Sequence, residues 1–205
     1  MVRIDYYTSL NSPWAYLGSA RIEAIAARHG AALRIWPVDF SIIFPASGGL
    51  PLPKRSPQRQ AYRMQELARW RAHLGVPLTL RPAASPFAEP LAAHAVIALR
   101  EGGDDAGAIR LAHRVMQAVW SEEANPGLPT TLATLITECG LDAAALLTLA
   151  EDPRWAERRR ADSAAALARG VFGAPTFVIG SEIFWGQDRL DFVDRALSAE
   201  GPTSP

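Results

Sequence analysis

Strand-forming residues sit at the two ends of this 205-residue chain and are missing from its middle, and that placement limits the fold more than any single motif does. Near the start, "VRIDYYTSL" and "ALRIWPVDF" are rich in β-branched and aromatic residues and read as strands. Between them, Ser19 to His29 puts Ile22, Ile25 and Ala26 on one helical face before Gly30 ends the helix. That is a βαβ unit, whose strands should be parallel neighbours joined by a right-handed crossover. The β signal returns only in "PTFVIGSEIFW", two short strands joined by Gly180-Ser181. A last helix starts near Asp188, with Phe192, Val193, Ala196 and Leu197 on its buried face.

The intervening residues carry other signals. Residues 41–57, "SIIFPASGGLPLPKRSP", are crowded with Pro and Gly and read as a long loop, a candidate substrate wall. Ser56 and Pro57 then give an N-cap and a first-turn proline for a helix running to Gly75. From Gly75 to Gly170 the pattern reads as helical throughout, with a stripe at Ala108, Leu111, Val115 and Val119. The order strand, helix, strand, helical block, strand, strand, helix is that of an α/β thioredoxin-like domain with a large all-helical insertion. Residues 1–45 and 170–200 would form the discontinuous sheet domain, 46–169 the helical insert and 201–205 a flexible tail.

Charge and cysteine content exclude several functions. Lys plus Arg and Asp plus Glu are each 21, so no net field recruits nucleic acid or an anionic membrane. No stretch approaches the roughly 20 apolar residues of a membrane span, and "MVRIDYYTS" is not a signal peptide, so a cytoplasmic location is expected. The single cysteine, Cys139, rules out a Cys-x-x-Cys pair and an internal disulfide. Leu132, Leu135 and Ile136 share its helical face, which makes it a core thiol rather than a nucleophile. The four histidines lack metal-binding spacing, and no metal is assigned.

Three short stretches could carry chemistry. In "TSLNSPWAYLG" a strand ends in Ser12-Pro13 and opens straight into a helix. Serine is a favoured N-cap, but a hydroxyl at the positive end of a helix dipole also stabilises an anion such as a thiolate. Pro175, directly before a strand, either begins an edge strand or follows a cis Ala174-Pro175 bond. In the second case the main chain of Ala174 is open to an extended peptide. In "FWGQDRLDF", Asp188 either caps the last helix, with Asp191 in a capping-box variant, or works with Gln187 to hold the carboxylate and ammonium of an amino-acid group. Trp14, Tyr16, Phe44 and Trp185 either line an aromatic slot or belong to the core.

Together, "SPWAYLG", "GVFGAPTFV" and "FWGQDRLDF" resemble the 2-hydroxychromene-2-carboxylate isomerases, relatives of kappa-class glutathione transferases within the DsbA-type thioredoxin superfamily. The resemblance runs from "IDYY" through "AYRMQELARW" and "AVWSEEANPG" to "DRLDFVDRAL". It implies a cytoplasmic homodimer that uses glutathione as a regenerated cofactor and interconverts 2-hydroxychromene-2-carboxylate and trans-o-hydroxybenzylidenepyruvate by reversible thiolate addition. By motif, it assigns Ser12 to the glutathione sulfur, Ala174 and Pro175 to the glutathione peptide, and Gln187 and Asp188 to the γ-glutamyl end. Arg59 stands where relatives carry a glutathione-binding lysine, and Trp14, Tyr16 and Phe44 are assigned to the substrate pocket. The chain departs from the pattern at Ser47-Gly48-Gly49 and in "RPAASPFAEPL". A missing cysteine pair makes sense if the sulfur arrives on the cofactor. A kappa-like transferase that releases its conjugate and a non-catalytic thioredoxin-like binding module are the alternative readings.

Overall fold

The computed structural model describes residues 2–199; the expected flexible tail at 201–205 lies outside them. Arg3–Thr8 (β1) and Ala32–Pro37 (β2) pair in parallel, from Arg3 opposite Ala32 to Thr8 opposite Pro37. Pro13–His29 (α1) makes the crossover. Thr176–Ile179 (β3) lies antiparallel on the other side of β1 and turns through Gly180, at φ +56°, into Glu182–Trp185 (β4). The sheet order is β2-β1-β3-β4, so β1 and β3 are central and buried.

Strand alternation sends side chains to two faces. Ile4 and Tyr6 meet Phe177 and Ile179 on one face, under α1 and Leu190–Ala199 (α9), with the Tyr6 and Phe177 rings stacked at 5.0 Å. Tyr7 and Val178 face the other way, toward Phe40–Ser47 (α2) and Arg154–Ala168 (α8), where Ile43 and Ala166 complete a second cluster. The loop expected over 41–57 is therefore a helix in its first part. Asp39 caps it by accepting from the Ser41 N–H at 2.8 Å, and burial of Ile43 outweighs the bond lost at Pro45. This helix also crosses the 45/46 line at which the sequence divides the chain.

The middle of the chain forms Pro57–Leu74 (α3), Pro90–Glu101 (α4), Asp105–Glu122 (α5), Pro129–Glu138 (α6) and Ala143–Ala150 (α7). Residues 76–89 are not helical, contrary to the sequence expectation, because Pro77, Pro82 and Pro86 interrupt any run, the last through a cis bond after Ser85. The helices do not stand apart from the sheet. Helices α4 and α5 pack along β2, and the α5 stripe of Leu111 and Val115 belongs to the same core as Ile4 and Ile35. Each such side chain contributes about 1.5–3 kcal/mol by leaving water. Cys139 is buried in that core, and burial pushes its thiol above the ordinary range. Among the described residues, no helix is long and apolar enough to cross a membrane, and no group of three or more His, Cys, Asp or Glu could hold a metal ion.

Candidate active site

Ser12 ends the turn after β1 and caps α1. Its φ of −87° and ψ of 117° are those of an N-cap, and its Oγ accepts from the Ala15 N–H at 3.2 Å. Pro13 occupies the first helical position, and no acidic residue stands in the first turn to offset the positive end of the dipole. The cap and the anion-stabilising role are compatible, because capping uses the oxygen and leaves the hydroxyl proton. Among the described residues, that proton has no acceptor.

Ala174-Pro175 is a cis bond. The Pro175 carbonyl accepts from the Gly186 N–H at 2.9 Å, which closes the β3–β4 hairpin at its open end. Neither the N–H nor the C=O of half-buried Ala174 has a hydrogen-bond partner among the described residues. Gly173 has no room for a side chain, since a Cβ there would collide with the Trp185 indole. Thr176 Oγ1 donates to the Gly173 carbonyl at 2.6 Å and holds this bend in place.

Between Gly186 and α9 the chain makes a short 3-10 turn, Gln187–Arg189, so α9 begins at Leu190 rather than near Asp188. Among the described residues, the exposed Asp188 carboxylate caps nothing and pairs only with Arg189, at 3.2 Å. The Gln187 side chain, 2% exposed, accepts from Arg21 at 2.7 Å and faces into the protein. With its side chain so engaged, Gln187 faces the cleft through its main chain. The N–H groups of Gln187 and Asp188 have no partners among the described residues.

These elements border a cleft of about 380 Å³, within the range of small-ligand sites. Trp14, Ala174 and Asp188 line it together with Trp185, Gln187 and Arg189. The opposite wall is one face of α3, where Tyr62, Glu66 and Trp70 recur every four residues. That i, i+4, i+8 spacing in "YRMQELARW" is the signal sequence reasoning passed over.

Other expected residues lie elsewhere. Ser12 is two residues from Trp14 but is not itself part of the cleft wall, and Pro175 is buried behind Ala174. Tyr16 is a core residue; its hydroxyl donates to the Pro77 carbonyl at 2.9 Å, and burial pushes its pKa up. Phe44 packs on Phe40 of its own helix, with ring centroids 5.2 Å apart, and fills the space beside Gly49. Arg59 is exposed in the first turn of α3, in no ion pair among the described residues and off the cleft. The structure thus gathers Trp14, Ala174, Gln187 and Asp188 and leaves Tyr16, Phe44 and Arg59 apart from them.

Residues 3–198 match the family model described as a DSBA-like thioredoxin domain. Over 197 residues the chain is 32% identical to a 2-hydroxychromene-2-carboxylate isomerase from Sphingobium xenophagum, covering 95% of this chain and 97% of that one. A protein of the same name from Pseudomonas putida is 28% identical, with 95% and 93% covered. A solved structure of a 2-hydroxychromene-2-carboxylate isomerase superimposes with a TM-score of 0.82 at 28% identity, over 97% of this chain and 95% of that chain.

Proposed function

The chain belongs to the DSBA-like thioredoxin domain family and, within it, to the family of 2-hydroxychromene-2-carboxylate isomerases, and from that premise we propose that it is an isomerase of aromatic compounds that works with glutathione. The observation that carries this reading is the unpaired main chain of Ala174, open to the same cleft as the Asp188 carboxylate. An extended peptide can pair with the first and place an ammonium on the second. The free N–H groups at Gln187 and Asp188 suit the neighbouring carboxylate. The donor set fits a γ-glutamyl-cysteinyl peptide at three points, and the cleft has the size for it.

Bound there, glutathione supplies a thiolate, a reversible nucleophile toward a conjugated carbon. The protein's own part is electrostatic and steric. Ser12 offers its hydroxyl proton, and the N-terminus of α1 adds its partial positive charge, so an anionic sulfur is favoured over the neutral thiol. Trp14 and the Tyr62–Trp70 face of α3 bring flat apolar surface to the cleft and exclude water from it. Asp188 fixes the far end of the peptide and leaves the reacting end to Ser12. The substrate pair in this proposal is 2-hydroxychromene-2-carboxylate and trans-o-hydroxybenzylidenepyruvate or close relatives, and the acting form is a cytoplasmic homodimer.

The test is calorimetric titration with glutathione, with the thiolate absorbance of the bound cofactor recorded across pH, followed by product analysis on the chromene carboxylate. Binding with a thiol that ionises well below its free value of about 8.5 supports the proposal. Isomer, with glutathione recovered intact, then supports an isomerase over a conjugating transferase. No binding at millimolar glutathione would overturn it.

A further inference from the structure

Glu89 stands at the N-cap of α4 but makes no capping bond to its own helix. Its carboxylate instead reaches the turn that delivers Ser12. Oε1 accepts from the Leu10 N–H at 2.6 Å, and Oε2 accepts from Ser9 Oγ at 3.0 Å and Asn11 Nδ2 at 3.3 Å. Beside it, Asn11 and Phe87 are tied reciprocally. The Phe87 N–H donates to Asn11 Oδ1 at 3.0 Å, and Asn11 Nδ2 donates to the Phe87 carbonyl at 3.1 Å. The Ser12 N–H in turn donates to the Ser9 carbonyl at 3.0 Å, so the whole turn hangs from the 87–89 segment. Arg159 of α8 lies 3.4 Å from Glu89 and donates to the Pro37 and Val38 carbonyls at the end of β2. Its positive charge offsets that of the largely buried carboxylate, which is 12% exposed.

We infer that Glu89 is a positioning residue that fixes the Ser12 hydroxyl at the N-terminus of α1, beside the cleft, an inference that rests on the glutathione-dependent reading above. A carboxylate near an anion-stabilising hydroxyl would, by charge alone, oppose a thiolate. With Arg159 beside it, Glu89 acts through geometry, holding three consecutive residues just ahead of the cap. The two effects have opposite signs, and that makes the inference testable. If Glu89 positions Ser12, removing it raises the pH at which the bound thiol ionises. If it acts by charge, removing it lowers that pH.

The experiment compares Glu89→Leu and Glu89→Asp with the unaltered chain by glutathione calorimetry, thiolate absorbance of the bound glutathione across pH, and turnover. Expected for Glu89→Leu are a thiol midpoint displaced toward the free value of about 8.5, turnover lower by about tenfold or more, and glutathione affinity within about twofold. Glu89→Asp keeps the charge and shortens the reach by one methylene; it should fall between the two, and it carries the test alone if Glu89→Leu does not fold. An unchanged or lowered midpoint in folded variants overturns the inference and leaves the glutathione reading standing. An unaltered chain that binds no glutathione overturns both.

Discussion

Arg21 of α1 donates through one nitrogen to both oxygens of Gln187, at 2.7 Å to the side chain and 3.0 Å to the main chain. Gly18, one turn earlier, lets the same residue approach so closely that a Cβ there would sit 3.0 Å from the Gln187 Cβ. The helix that begins at Ser12 and the turn that carries Asp188 are thereby one rigid unit. Arg21→Leu strips a buried residue of its donor, at a cost of about 1–3 kcal/mol in stability, and frees the turn to move. Glutathione affinity is expected to fall by roughly tenfold or more, with partial recovery in Arg21→Lys. Calorimetric titration at a temperature where both variants are folded checks this; unaltered affinity would show that the turn does not need Arg21.

Ser12 has two jobs that one substitution separates by magnitude. As a cap it satisfies one N–H, and its loss in Ser12→Ala should cost about 0.5–2 kcal/mol. As the donor to a sulfur anion it should matter far more to turnover, by about a hundredfold or more, than to glutathione binding. Ser12→Gly removes the hydroxyl but costs only a few tenths of a kcal/mol as a cap. Turnover in Ser12→Gly as low as in Ser12→Ala, despite better stability, is the expected result. Turnover that follows stability would reduce Ser12 to a cap.

Much of this arrangement was legible in the sequence because it rests on local chemistry. Ser12-Pro13 starts a helix, Gly180 turns a hairpin and Ala174-Pro175 makes its bend wherever such residues stand between such strands. What the sequence hid depends on distant partners. Phe40–Ser47 is helical because Ile43 finds α8, and Tyr16 is core because Pro77 offers its carbonyl to the hydroxyl. The departure at "RPAASPFAEPL" marks a region that behaves differently, but only the fold shows Phe87 and Glu89 gripping the Ser12 turn. The aromatic face of α3 could have been read, since its spacing is plain, but nothing local says that it faces Ala174.

Arg100 and Asp162 test how the helical block is fastened to the sheet. The Arg100 side chain is fully buried, bonds Asp162 at 2.5 Å and the Ile35 carbonyl at 3.3 Å, and lies 4.1 Å over the Trp36 ring. Removing either partner strips the other of one charge partner while Asp162 keeps Arg158 at 2.8 Å and Arg100 keeps Glu101 at 3.0 Å, so Arg100→Met or Asp162→Leu should each cost about 1–3 kcal/mol. The double variant should cost less than the two single losses added, because each single substitution already breaks the same contact. Denaturant unfolding of the three proteins checks this, and strictly additive losses would mean that the pair is not coupled.

His113 gives the fold a pH dependence whose sign the geometry fixes. On α5 its Nδ1 lies 2.7 Å from Ser19 Oγ of α1, and burial, followed by the Arg114 charge, pulls its pKa below the ordinary value. A histidine that protonates less readily when folded binds its proton first in the unfolded chain. Its contribution is therefore whole above about pH 6.5, the unfolded value, and is lost as pH falls below it. His94 is shifted the same way by burial and adds to the slope. Glu23, 3.9 Å from His113, has its carboxyl raised by burial; that contribution has the opposite sign and belongs to more acid conditions. The melting temperature should drop between about pH 7 and pH 5, and His113→Gln, which keeps a polar partner for Ser19 and cannot titrate, should flatten that drop without abolishing it. A slope as steep in His113→Gln as in the unaltered chain would assign the effect to His94 or to the surface, and the α1–α5 contact would then be indifferent to pH.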